Sequence, residues 1–122
     1  MFQTIIFIGN LGKDPELRYT PDGKAVTSFS VATSSGSGDN KKTVWFRVSV
    51  WEKQAETCNQ YLHKGSKVLV EGRLTADESG GPRVFTRQDG TTGASFEVSA
   101  STVRFMDSKP DGDNAPEEDN SW

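Results

Sequence analysis

The run Val44-Trp45-Phe46-Arg47-Val48-Ser49-Val50-Trp51 leaves this chain little choice of fold. Its β-branched and aromatic residues alternate with period two, the pattern of a strand rather than a helix. Val44, Phe46, Val48 and Val50 make one continuous apolar face, so a core must lie on that side. Trp45, Arg47, Ser49 and Trp51 make the opposite face. Other short segments read the same way: Gln3 to Gly9, Ala25 to Thr33, Lys67 to Leu74 and Ala94 to Phe105. The first of these is apolar on both faces (Ile5 and Phe7; Ile6 and Ile8). That predicts burial in a core on one side and makes a subunit contact the candidate cover for the other. In the last segment Phe96, Val98 and Ala100 share a face.

One helix is predicted, over Gln54 to His63. Ala55, Cys58, Tyr61 and Leu62 fall at i, i+3, i+6 and i+7, one apolar stripe. Lys64 suits the negative end of the helix dipole and Gly65 the cap. Gly9-Asn10-Leu11-Gly12 reads as a turn, and Asp14-Pro15 continues the loop. Pro21-Asp22-Gly23 is a second turn, with proline presetting φ and glycine tolerating a positive one. Ser34 to Lys42 is rich in glycine and serine and is expected to be a mobile loop. Thr75 to Gly93 carries Gly80-Gly81-Pro82 and Asp89-Gly90 on either side of Arg83 to Arg87, which reads as a long hairpin. The order is three strands, one helix, two strands, with the hairpin between strands four and five. That is the arrangement of an all-β OB-fold, a five-stranded Greek-key barrel. An SH3-like barrel or a small sandwich would also satisfy the periodicity.

Charge divides the chain in two. The net charge is −3. Residues 1–106 hold 13 Lys+Arg against 11 Asp+Glu, and residues 107–122 hold one lysine against six acids. The body is therefore mildly basic and the last segment strongly acidic. Residues 107–122 lack apolar periodicity and are expected to form a disordered acidic C-terminal tail after a single domain over 1–106. The hydrophobic fraction is 33%, low for a compact fold, and oligomerisation would supply part of the missing burial. No apolar run of about 18 residues exists to span a membrane. The start of the chain lacks the basic region and cleavage site of a secretory signal, and one cysteine allows no internal disulfide. A cytoplasmic location is expected.

The outward face of the Trp45–Trp51 strand carries the chemistry. Two indoles and a guanidinium facing away from a core need a cover, and single-stranded nucleic acid provides one. Each base stacked on an aromatic ring contributes roughly 1–3 kcal/mol, whatever its identity. An arginine between the rings can stack or hold a phosphate. A subunit interface would cover the same face. Arg83, Phe85 and Arg87 repeat the pattern, aromatic flanked by cations, on the hairpin. A solvated hairpin is the plainer reading of that segment alone. Lys13, Arg18, Lys41, Lys42, Lys53, Lys64, Lys67 and Arg73 are further candidate phosphate contacts, each of which would serve equally as a solvated surface charge. Catalytic signals are poor. His63 and Cys58 are the single members of their kinds, so no Cys/His zinc cluster can form. Glu16 and Glu52 lack an evident partner carboxylate, and no nucleotide-binding loop is present. Neither an enzyme nor a cofactor is expected. An OB-fold adaptor that binds protein through its aromatic face is the competing class.

The chain resembles the bacterial single-stranded DNA-binding protein family. The resemblance rests on Ile8-Gly9-Asn10-Leu11-Gly12-Lys13-Asp14-Pro15-Glu16-Leu17-Arg18-Tyr19 with Pro21-Asp22-Gly23, then on Phe29 to Thr33, Trp45 to Val48, and Tyr61 to Gly72. It implies an OB barrel, a homotetramer, and protection of single strands in replication, recombination and repair. It also implies base stacking at Trp45, at Trp51 (often phenylalanine in relatives) and at Phe85 (often tryptophan). A tryptophan that some members carry after the second strand has no counterpart, since Ser35 to Asp39 stands there, and that loop is expected to contribute less to wrapping. Relatives often have a long Gly/Gln-rich linker and an acidic tip ending in proline-phenylalanine. Here the linker is almost absent and the end reads Glu117-Glu118-Asp119-Asn120-Ser121-Trp122. Glu117, Glu118, Asp119 and Trp122 keep the physics of a tip that docks replication and repair proteins, with carboxylates for a basic rim and a ring for a pocket. A solubilising tail is the alternative.

Overall fold

A computed structural model describes residues 2–36, 38–76 and 80–106. The proposed tail residues Glu117, Glu118, Asp119 and Trp122 lie outside the described residues. The elements run β1 (Ile5–Leu11), β2 (Glu16–Tyr19), β3 (Ala25–Ser35), β4 (Lys42–Trp51), α1 (Glu52–Tyr61), β5 (Lys67–Thr75), β6 (Arg83–Thr86) and β7 (Thr92–Phe105), with a 3₁₀ turn at Gly38–Asn40 before β4.

Five of these strands close a barrel in the order β1-β5-β7-β4-β3, with β3 returning to β1. The closure is made by β1 dividing its edges. Ile5 to Asn10 pair with β5, and Asn10 and Leu11 pair with Ala32 and Val31 of β3. Neighbours are antiparallel except β4 and β7, which run parallel with Phe46 opposite Phe96 and Arg47 opposite Glu97. A single helix joins β4 to β5. This is the OB-fold predicted above, with β2 added beside β3 and β6 beside β7.

The core is built largely of valine, which fits a pleated, fully covered surface. Val31, Val48, Val50, Val68 and Val70 are wholly buried, with Phe29, Leu11 and Val98 among them. α1 closes the barrel with Ala55, Cys58 and the following Leu62. Burial pushes the Cys58 thiol up to about 11, so it is an inert part of the core. The buried Thr27 hydroxyl donates to the Ala55 carbonyl at 2.7 Å, tying helix to sheet. The β5–β7 register slips between Glu71 and Gly72, leaving Ser101 as the extra residue of a bulge that bends β7. The Gln54 side chain satisfies that bulge: it donates to the Ser101 carbonyl at 3.3 Å and accepts from the Val103 amide at 2.9 Å.

Several expectations are corrected. Gly9 to Gly12 is not a turn: β1 extends through Leu11, and the chain leaves the strand only at Gly12. Glu16–Tyr19, to which the sequence reading assigns no element, form β2, a short edge strand held by β3. The helix starts at Glu52 and ends at Tyr61, because Leu62 is extended and leads into a turn. Gly65, at φ 92°, serves that turn rather than the helix end: the Ser66 amide donates to the His63 carbonyl, and the Gly65 amide to the Leu11 carbonyl. Tyr61 does not join the buried stripe. It is exposed, with its ring 6.3 Å from that of Phe105, since Leu62 takes the inward position. Phe96 points to the core side but stands exposed at the barrel rim, tilted against Phe46, which stacks on Phe7 at 4.2 Å. The outer residues of β1, Ile6 and Ile8, are open in the single chain. The Thr20–Gly23 turn forms as predicted, closed by the Gly23 amide on the Thr20 carbonyl at 2.8 Å, with Gly23 at φ 89°.

Candidate nucleic-acid interface

Strand alternation puts Trp45, Arg47, Ser49 and Trp51 on the outer face of β4. The rings are half-exposed, at 50% for Trp45 and 43% for Trp51. Cross-strand pairing extends this face. On β3, Ala32, Ser30, Ser28 and Val26 stand opposite Trp45, Arg47, Ser49 and Trp51. On β7, Glu97 and Ser99 stand beside Arg47 and Ser49. The small side chains of β3 leave the larger ones of β4 standing proud.

The hairpin folds onto the Trp45 end. β6 pairs with the start of β7, Arg83 opposite Ser95 and Phe85 opposite Gly93. A groove of about 460 Å³ results, in which Trp45 and Arg47 of β4 meet Arg83 and Phe85 of β6 over a floor that includes Ser30 and Ser95. The two aromatic-basic patterns of the sequence are thus one site. Arg83 is aimed by Glu97: its Nη1 lies 3.5 Å from Glu97 Oε2, which also accepts from the Ser95 hydroxyl at 2.9 Å. Arg87 lies over the Phe85 ring at 5.5 Å and donates to the Thr92 carbonyl at 2.9 Å. The hairpin tip is set by Asp89, whose carboxyl is held below its usual range by the Thr91 hydroxyl at 2.7 Å and the Thr91 amide at 3.0 Å.

The remaining predicted cations spread around this face. Arg18 of β2 is paired with Val26, which stands opposite Trp51, so Arg18 and Trp51 flank Val26 at the far end. Lys53 follows Trp51 in the first turn of α1. Arg73 of β5 pairs with Ser99, two strands from β4. Lys13 follows Gly12, which meets the edge of the Trp45 indole. The Lys64 amide donates to Asp14 Oδ1 at 2.8 Å, which brings Lys64 to the same loop as Lys13. Lys41 and Lys42 are exposed where β4 begins.

Sequence reasoning missed Ser30 and Ser95 in the groove, Glu97 beside Arg83, and the roles of Gly12 and Gly93. Alternation along β7 would have turned Ser95 and Glu97 outward, opposite Phe96 and Val98. No local pattern tells which strand they would meet. Among the described residues no group of three or more His, Cys, Asp and Glu side chains is placed to hold a metal. No helix among them is long and apolar enough to cross a membrane.

A family model described as the single-strand binding protein family matches residues 2–106. The chain is 34% identical over 121 residues to a protein named single-stranded DNA-binding protein from Helicobacter hepaticus, covering 95% of this chain and 68% of that one. It is 36% identical over 107 residues to proteins of the same name from Neisseria meningitidis serogroups A and B, covering 84% of this chain and 58% of theirs. With the barrel, the outward aromatic strand and this match over nearly the whole described body, the chain belongs to the single-strand binding protein family.

Proposed function

We propose that this protein binds single-stranded DNA without sequence preference, stacking bases on Trp45, Trp51 and Phe85 and holding phosphates with nearby cations. It is a binding protein, not an enzyme. The observation that carries the reading is the groove in which Trp45 and Arg47 meet Arg83 and Phe85. Exposed rings flanked by guanidinium groups suit a flexible polyanion with flat bases: every base has a π-face, and every nucleotide has a phosphate. Arg47, Arg83 and Arg87 act at the groove, and Lys13, Arg18, Lys53, Lys64 and Arg73 extend the phosphate path around it. The names of the relatives support the same ligand.

Three finer statements belong to this reading. The protein self-associates, most simply as a homotetramer, and the open outer residues of β1, Ile6 and Ile8, support such a contact. It serves replication, recombination and repair in the cytoplasm, at the nucleoid. Residues 1–106 act as the binding domain and residues 107–122 as an acidic tail, whose Glu117, Glu118, Asp119 and Trp122 dock partner proteins. The tail also competes with DNA for the basic face, so deleting residues 107–122 tightens binding at low salt and matters less at high salt.

The test is intrinsic fluorescence during titration with poly(dT) at two salt concentrations. Strong quenching, lost in the Trp45→Ala/Trp51→Ala variant and weaker at high salt, is expected. Absence of both quenching and binding would return the aromatic face to a protein partner or a subunit contact.

A further inference from the structure

We infer that Gly12 and Gly93 are positioning residues for the two aromatic rings of the groove, each leaving out a Cβ so that the edge of a ring can pack close against the backbone there. The inference rests on the proposed DNA-binding role of those rings. A side chain at either glycine would meet atoms of the groove.

A Cβ on Gly12 would lie 2.5 Å from Cζ3 and 2.8 Å from Cη2 of Trp45, and its three nearest neighbours are all atoms of that indole. A Cβ on Gly93 would lie 2.7 Å from Cε1 of Phe85 and 2.6 Å from Nη2 of Arg87, the guanidinium that lies over the same ring. Neither glycine has a left-handed φ, so neither is required by its own backbone. The Gly12 amide donates to the Ser30 carbonyl at 3.0 Å, a bond that alanine would keep.

Gly9 and Gly72 make the contrast. A Cβ on Gly9 would strike the Ala32 carbonyl, and one on Gly72 would strike the Ser99 carbonyl. Those glycines serve the close approach of barrel strands. Gly12 and Gly93 make way only for side chains, and those side chains belong to the groove. Trp51, on the same face of the same strand, is not among the nearest neighbours of Gly9, Gly12, Gly72 or Gly93.

A ring seated this way is immobilised before any ligand arrives, so less rotamer freedom is lost when a base stacks on it.

The test uses the full chain and a double-mutant cycle. Gly12→Ala is compared with wild type, Trp45→Phe and Gly12→Ala/Trp45→Phe, since a phenyl ring lacks the outer indole atoms that the new methyl group would strike. Gly12→Ala is expected to weaken poly(dT) binding about tenfold, within the range a lost stacking contact allows. In the Trp45→Phe background the same change is expected to cost less than about twofold, as coupled neighbours require. A readout without DNA accompanies it: with Trp51→Phe and Trp122→Phe leaving Trp45 as the single indole of the three, Gly12→Ala is expected to shift its emission and lower its anisotropy. Wild-type affinity with unchanged emission would overturn the inference, as would an equal loss of binding in both backgrounds. Should Gly12→Ala fail to fold, folding of the double variant sustains the inference and failure of both overturns it. Failure of the wild type to bind poly(dT) would sink the proposed function, while the emission change would still decide the seating of Trp45.

Discussion

The two ends of β4 carry the same residue type on the same face, yet they are different sites. Trp45 and Trp51 are six positions apart, about 20 Å along a strand. At the Trp45 end the β6–β7 hairpin folds over, a groove forms, a glycine meets the edge of the indole, and Arg83 is aimed by Glu97. At the Trp51 end the strand runs straight into α1, and the ring flanks Val26 opposite Arg18. One end is preorganised and the other open. Equal exposure does not mean equal readiness to bind, because a fixed ring has already lost the freedom that a loose one must lose on binding.

The largest effect expected from this contrast is on stacking. Trp45→Ala should cost near the top of the roughly 1–3 kcal/mol range for a stacked base and Trp51→Ala near the bottom, read by titrating a labelled oligo(dT). Equal losses, or a larger loss at Trp51, would break the comparison. Next comes charge. Arg83→Ala should lower the dependence of log affinity on log salt by about one unit, and Arg18→Ala by less. If Arg18 moves the slope more, the phosphate path runs mainly past Trp51. Glu97→Gln acts with the opposite sign: it removes a negative charge beside Arg83 and Arg47 and should tighten binding at low salt by less than about fivefold. Weaker binding would mean that holding Arg83 in place matters more than the repulsion. The smallest effect concerns the join of β4 and α1. Glu52 makes that corner at φ 60°, the left-handed region that disfavours side chains. Glu52→Gly should raise stability by about 1 kcal/mol or less, seen as a small rise in Tm. A fall would show that another contact of Glu52 outweighs the strain.

Much of this was legible in single segments. Alternation over Val44 to Trp51 fixed which side chains face out, and the same rule aligned Arg83, Phe85 and Arg87. That these two faces make one groove was not legible, because it depends on β6 pairing with β7 and β7 with β4, partners far apart in the chain. β2 was missed because four residues are too few to show a period, and they are extended only because β3 holds them. Gly12 reads as a turn residue in the sequence because glycine speaks locally for backbone freedom. Its neighbour is an indole from another strand, which no local pattern reports. Tyr61 fits the helical stripe by spacing, but the helix ends there and Leu62 takes the core position. The tail calls for a separate test, since Glu117 to Trp122 lie outside the described residues.

The position of β7 has a consequence for biosynthesis. This strand pairs with β4 on one side and β5 on the other, and it also backs the hairpin that carries Arg83 and Phe85. A chain emerging from the ribosome at about 5–20 residues per second can form the β3–β4 ribbon and α1 early. It cannot close the barrel, seat Phe85 or complete the groove until residues 92–105 are out. Until then the valines that β7 will cover stay open to water, and the nascent chain has the aromatic strand without the groove around it. Pairings so distant in sequence also slow folding. The protein therefore becomes competent for its ligand in one late step, when the strand that completes its core also completes its binding face.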